Sequence, residues 1–359
     1  MSTPALNKSL CNCSLKKDII FYIFAFIISF LLYRRDIDGV DTGKLLFVLL
    51  AIVYAIISDY SHLMMGTAFL LPLANGLPGN YIFPLLCVII VVKGWKKLQV
   101  NPLVWFAFTL IIISELLHIL LFASAPNVSN YIGYCAAIFL LLVVGGSDDE
   151  GSDNSKNALA FCIGSVVMLT VILLNFSMMM ESQIQDIGIR VGDTSLFGDE
   201  DKMTLGTNPN NIGLYSIATI SISFSLWFYK KTPLWSFVIL AALAFIAGMS
   251  SMSRTWMLSL IVFGFFFLLF NKGKSYIPTI IVIVIAVGIY LLFERSGSNA
   301  VDMFVERFRG SEINTAGSRT ILFAAYHNWM FANGWALIFG TGAQTYKEVT
   351  MIYDSELSS

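Results

Sequence analysis

The feature that most constrains this chain is the length of its apolar runs. They extend from Ile19 to Tyr33, Leu45 to Ile57, Leu63 to Leu77, Tyr81 to Val92, Leu103 to Phe122, Tyr131 to Val144, Ala158 to Met180, Ile212 to Tyr229, Pro233 to Met249, Trp256 to Phe270 and Tyr276 to Phe293. Within them the only acidic, basic or histidine residues are Glu115 and His118. A run of ~20 apolar residues fits a bilayer core of ~30 Å. Lipid offers the backbone no partner, so each run must satisfy its own N–H and C=O groups as a helix. A membrane β-barrel needs strict alternation over ~10 residues, which these runs lack. The expected fold is therefore all-α: a polytopic transmembrane helical bundle of about 10–11 spans. Between Leu45 and Val92 three short runs could instead be two longer helices broken at Pro72 or Pro78.

Composition narrows the function classes. Of the 359 residues 57% are hydrophobic and 13% charged, against roughly 25% charged in soluble domains. That excludes an ordinary cytosolic enzyme and a disordered chain. A net charge of -1 provides no basic field, so no nucleic-acid partner is expected.

Loop charge sets the orientation, because Lys and Arg gather on the cytoplasmic side. Lys93, Lys96 and Lys97, then Lys230 and Lys231, then Lys272 and Lys274 fall on one side if the runs alternate. Ala123 to Asn130 holds no Lys or Arg, and Glu181 to Asn211 holds only Arg190 and Lys202. The N-terminus, with Lys8, Lys16 and Lys17, is then inside. Arg34, Arg35 and Lys44 run against this count, with Asp36, Asp38 and Asp41 beside them. The first run ends in Arg34 and Arg35 and carries no small-residue cleavage site, so it reads as a retained span. Cys87, Cys135 and Cys162 read as small buried hydrophobes, and the Cys11–Cys13 pair is a weak signal for metal or lipid. Gly145 to Asn157 reads as a solvated inner loop. His62, in a short connection, receives no role.

Two units follow: a bundle over residues 1–293, including an outer segment 181–211, and a large, partly helical outer segment 294–359. In the latter, Ser318 to Phe331 has helical spacing, with Arg319, Phe323, Tyr326 and Met330 on one stripe. It reads as a helix at the membrane surface or packed on the bundle.

Three arginines stand where topology does not require them: Arg190, Arg254 and Arg319. A guanidinium keeps its charge and binds phosphate oxygens in bidentate fashion. Converging, the three would form a diphosphate pocket; alone, each has a plainer reading, such as Arg254 anchoring a helix end at lipid headgroups. Thr207-Asn208-Pro209-Asn210-Asn211 breaks the chain before a span, as helix cap or as sugar contact. Glu115 and His118 share a helix face, but no second such motif completes a di-metal site. A polar pair or an acceptor-binding contact is the better reading, and neither metal nor cofactor is expected.

In this order, Arg190 with Gly192, Asn208-Pro209-Asn210, Ser253-Arg254-Thr255, Gly317-Ser318-Arg319-Thr320 and Gly340-Thr341-Gly342 resemble the O-antigen polymerase and ligase family of membrane glycosyltransferases. The resemblance runs from about Arg190 to Tyr346 and covers earlier spans in hydropathy only. It implies a GT-C-like, multi-pass protein of the bacterial cytoplasmic membrane. Its substrate would be an undecaprenyl-diphosphate-linked oligosaccharide, transferred to an acceptor hydroxyl on the outer face by a metal-independent inverting displacement. Arg190, Arg254 and Arg319 are the candidate catalytic residues. Asn208, Asn210, Arg309, Gly340 and Gly342 are the candidate substrate-binding residues. A chain-length regulator and a flippase are the implied protein partners. The family's His-Asn pair follows the G-x-G turn, where this chain reaches Leu357-Ser358-Ser359, so a chain cut short is expected. His327 and Glu312 are the candidate bases within it, with Asp354 and Glu356 as further carboxylates. Polymerisation of repeat units is the first reading and ligation to lipid A core or another acceptor the second. A lipid-linked glycan transporter is the third, weakened by the absence of internal repeats.

Overall fold

A computed structural model describes residues 4–94, 102–122, 132–133, 135–140, 154–183, 209–251, 253–270, 327–332 and 334. Every regular element among them is a helix: α1 (Pro4–Asp36), α2 (Lys44–Ile57), α3 (Tyr60–Leu70) continued by a 3-10 segment (Leu71–Gly76), α4 (Gly79–Gly94), α5 (Pro102–Phe122), α6 (Asn154–Gln183), α7 (Pro209–Phe228), α8 (Leu234–Ser250) and α9 (Arg254–Phe270). Short helical stretches at 132–133, 135–140 and 327–332 complete the described set. Each described apolar run is thus a helix. The run Tyr276 to Phe293 lies outside the described residues.

The stretch from Leu45 to Val92 forms three rods, matching its three apolar runs rather than two longer helices. Pro72 sits inside the 3-10 segment, and Pro78 separates it from α4, since proline cannot donate to a preceding turn. Two differences from the sequence expectation have local causes. First, α1 begins well before Ile19, because nothing from Pro4 to Asp18 breaks a helix. Second, α6 starts at Asn154, so the end of the Gly145–Asn157 stretch is its first turn rather than loop.

Contacts at the helix ends fix how the first rods run. Asp18, just before the first apolar run on α1, meets His62 at the start of α3 and Lys156 at the start of α6. At the other end of the same helix, Arg35 Nη1 donates to the carbonyl of Gly76 at 2.5 Å. From residue 18 to 35 a helix rises ~25 Å. From residue 60 to 76, an α-helix followed by a 3-10 segment covers ~28 Å, so the two rods match in length and lie side by side. Gly133 abuts Asn80, and Cys87 lies on the carbonyl of Ala136. From Gly133 to Ala136 the chain therefore advances in the same direction as α4.

Glycine sets the closest approaches, since it leaves room for a neighbour where any Cβ would collide. Gly164 of α6 lies against the backbone carbonyl of Phe69 in α3, and Gly66 of α3 receives the ring of Tyr54. That ring also stacks on Phe24 of α1, with centroids 4.1 Å apart.

The helices are apolar on both sides. On α1, Phe21, Phe24, Ala25, Ile28 and Leu32 are buried, while Ile19, Tyr22, Ile23, Phe26, Phe30 and Tyr33 are exposed. Outward-facing Leu49 and Val53 on α2, Phe106 and Leu110 on α5, and Leu258 and Ile261 on α9 extend this pattern. Soluble monomers rarely expose contiguous apolar patches beyond a few hundred Å² (about 300–600 Å² at most). Two helical stretches, Asn154–Leu174 and Asn211–Phe228, are long and apolar enough to cross a membrane.

Arg34 and Arg35, which ran against the loop-charge count, are locally paired. Arg34 bonds Asp38 at 2.7 Å, and Arg35 Nε bonds Asp36 at 2.6 Å. The Arg35–Asp36 pair is nearly buried, and the guanidinium lies 5.7 Å from the centroid of the Phe47 ring.

Candidate functional site

The helices that begin at two of the sequence motifs, α7 and α9, pack together near their starts, at Gly213 against Ser253 and Trp256. The α7–α8 hairpin is closed at its turn by Phe224 and Trp227 against Phe237. Phe224 also meets Phe263 of α9, so α9 returns parallel to α7 and both helices start at the same end. There the contact is tight: a Cβ on Gly213 would fall 2.7 Å from the Cβ of Trp256 and 3.2 Å from the Oγ of Ser253. The indole of Trp256 is fully buried and crosses to α8, where its Nε1 lies over Gly248 and its ring meets Phe245 edge-on at 5.2 Å.

The residue order in Ser253-Arg254-Thr255 has a local explanation. Ser253 is buried and caps α9, its Oγ accepting from the Trp256 N–H at 3.4 Å, as a serine at a helix start should. Arg254 is then the first helical residue. A helix start carries partial positive charge and favours anions, so a cation there forgoes about 0.3–1 kcal/mol. Helix stability therefore does not account for an arginine at this position. Pro209 opens α7 in the same way, at a site where its missing N–H costs nothing. Asn210 follows it in the first turn.

The two helix starts present backbone N–H groups that no helical carbonyl satisfies. With Asn210 and Arg254 in their first turns, such ends suit a multiply charged anion. The seam below it is polar: Ser216, Thr219 and Ser223 of α7 are buried. Thr219 and Ser223 donate to carbonyls of their own helix, at 2.7 and 3.1 Å. Ser216 Oγ and Trp256 Nε1 have no hydrogen-bond partner among the described residues.

The other candidates divide as follows. Arg190, Asn208, Arg309, Glu312, Arg319, Gly340 and Gly342 lie outside the described residues, as do the side chains of Arg254, Asn210, Glu115 and His118. His327 is exposed in the 327–332 helix, its ring 4.4 Å from that of Phe331. In that turn Trp329 is the buried residue and Met330 is half-buried. Of the expected stripe only Met330 can be compared, and it is less covered than its neighbour.

A second polar group escaped the sequence reading. His62 is 7% exposed and sits between two carboxylates. Its Nδ1 is 2.7 Å from Asp59 Oδ1 and its Nε2 is 3.0 Å from Asp18 Oδ1. Asp59 caps α3 by accepting from the His62 backbone N–H at 3.0 Å, and its other oxygen takes Lys17 at 2.7 Å. Lys156 reaches both oxygens of Asp18, at 3.0 and 3.2 Å. Burial opposes ionisation of both carboxyls. The hydrogen bonds from Lys156 and His62 to Asp18, and from Lys17 and His62 to Asp59, outweigh it and hold both below the ordinary carboxylate range. The available signal was Asp59-x-x-His62 ahead of an apolar run, an N-cap pattern. Asp18, far off in sequence, gave none.

Compared with protein-family models, with curated proteins and with solved structures, the chain matches none.

Proposed function

We propose that this chain is a multi-pass membrane glycosyltransferase of the bacterial cytoplasmic membrane that polymerises undecaprenyl-diphosphate-linked repeat units on the outer face. The bilayer part of the reading is supported by helices that are apolar on both their buried and their exposed sides. The catalytic part rests on one observation: the helix starts carrying Asn210 and Arg254 share one end, held together by Gly213 against Ser253 and Trp256.

The chemistry such an end offers fits the reaction. A sugar bound to a diphosphate already has a good leaving group, so the main demand is to stabilise negative charge as the anomeric C–O bond breaks. Fixed positive groups do this without reorganising. Arg254 and two converging helix starts are such groups, and Arg190 and Arg319 are the proposed additions from the segments 181–211 and 294–359. The acceptor hydroxyl must lose a proton, for which His327 or Glu312 is the proposed base. Ligation to another acceptor uses the same donor site and remains the second reading.

Substituting Arg254 tests this in cells that make the polysaccharide. With Arg254→Ala present in the membrane, repeat units should collect on the outer leaflet and long chains should disappear. Chains of normal length and amount would refute the assignment. Repeat units trapped on the inner leaflet would instead favour transport.

A further inference from the structure

We propose that the turn between α7 and α8 is a binding site for anionic phospholipid headgroups. Its backbone is closely specified. The N–H of Lys230 bonds the Trp227 carbonyl at 2.9 Å, and that of Lys231 bonds the Leu226 carbonyl at 2.8 Å. This pairing ends a helix on a left-handed residue, most often glycine. Here that residue is Lys230, at a φ of 57°. A Cβ in this conformation crowds the following carbonyl, so glycine would close the turn at lower cost, and folding alone does not account for a lysine. A cation at a helix C-terminus is favourable, but that leaves the aromatic neighbours unexplained. Tyr229 is 72% and Trp235 66% exposed, flanking the exposed Lys230 and Lys231.

Tyr and Trp with a free polar edge settle at the level of lipid headgroups, and lysines at that level attract anionic lipid. The surroundings do not supply the countercharge for Lys230. No Asp or Glu occurs between Asp201 and Glu294, and the described ion pairs take up Lys17, Arg34, Arg35 and Lys156 instead. Charge complementarity therefore selects an anionic headgroup over a zwitterionic one. This inference rests on the membrane reading above and adds a measure of depth to it. With 20 residues, α7 rises ~30 Å, the thickness of the hydrocarbon core. When the turn is held at one headgroup layer, the starts of α7 and α9 reach the opposite layer, where the diphosphate of a lipid-linked donor would lie. Anchoring the turn thus holds the proposed donor site at the height of its substrate.

Photo-cross-linking tests the site in the full-length protein. With p-benzoylphenylalanine in place of Phe228, the protein is placed in nanodiscs of phosphatidylcholine with a minor share of phosphatidylglycerol, irradiated, and its lipid adducts identified by mass spectrometry. Phosphatidylglycerol should be enriched among them about fivefold over its share of the bilayer. Combining Lys230→Gly, which relieves the backbone and so keeps the turn, with Lys231→Gln should return it to that share. Equal enrichment in both proteins would overturn the proposal. Adducts in bilayer proportion in the wild type would overturn it while leaving the membrane reading intact. A complete lack of lipid adducts would overturn both.

Discussion

Gly213 of α7 lies directly against Trp256 of α9, so close that no side chain fits between them. The contact joins the two helix starts on which the proposed donor site is built. Gly213→Ala would put a Cβ 2.7 Å from that of Trp256, an atom that cannot rotate away. Forcing α7 and α9 apart should cost about 1–3 kcal/mol. It should also lower polymer output, because the two ends no longer meet. Gly264, further along α9, has open space around it, so Gly264→Ala should be neutral or stabilise the helix by up to about 1 kcal/mol. Thermal melts of the two variants, with polymer output, make the comparison.

Lys93 of α4 caps the end of α2, its ammonium donating to the carbonyls of Ala55, Ile56 and Ser58 at 2.7, 2.8 and 2.6 Å. These carbonyls have no helical partner, and a cation at a helix C-terminus is favourable. Lys93→Met should destabilise the protein by about 1–3 kcal/mol. Lys93→Arg should recover part of the loss. Urea unfolding followed by tryptophan fluorescence reads both.

Asp59 governs the acid limit. Its folded-state carboxyl titrates below the unfolded value near 3.9, with burial outweighed by Lys17 and His62. A depressed carboxyl contributes stability that is fully present above the unfolded value and is lost as pH falls toward the folded one. Stability should therefore decline below about pH 4 in the wild type. Asp59→Asn should be less stable at pH 6 and decline less on acidification. Equal acid sensitivity in the two would contradict this role.

The helices were legible because an apolar run declares itself locally: Leu45 to Ile57 in sequence became Lys44–Ile57 in the fold, and Leu103 to Phe122 became Pro102–Phe122. What brings helices together was not legible. Asp18 and His62 are 44 residues apart, and nothing local to either names the other. Gly213 and Trp256 are likewise distant in sequence, and a glycine within an apolar run does not reveal which neighbour it accommodates. Arg35 has partners that its charge did not announce. Its charge reads as a topology signal, yet in the fold it is spent on Asp36 and the Gly76 carbonyl. Of the site itself, the two motif positions at the helix starts emerged because proline and serine mark helix starts through local chemistry.

As proposed, the chain transfers a glycan from a polyprenyl diphosphate by stabilising the charge on the leaving diphosphate. Purified protein in nanodiscs, given undecaprenyl-diphosphate-linked repeat units and a metal chelator, tests it most directly. Longer lipid-linked chains should form together with free undecaprenyl diphosphate, and Arg254→Ala should lower the rate at least about 100-fold, the usual cost of removing one such stabilising group. Polymer formed at an unchanged rate by Arg254→Ala would rule this transfer mechanism out, as would no consumption of the donor by the wild-type chain.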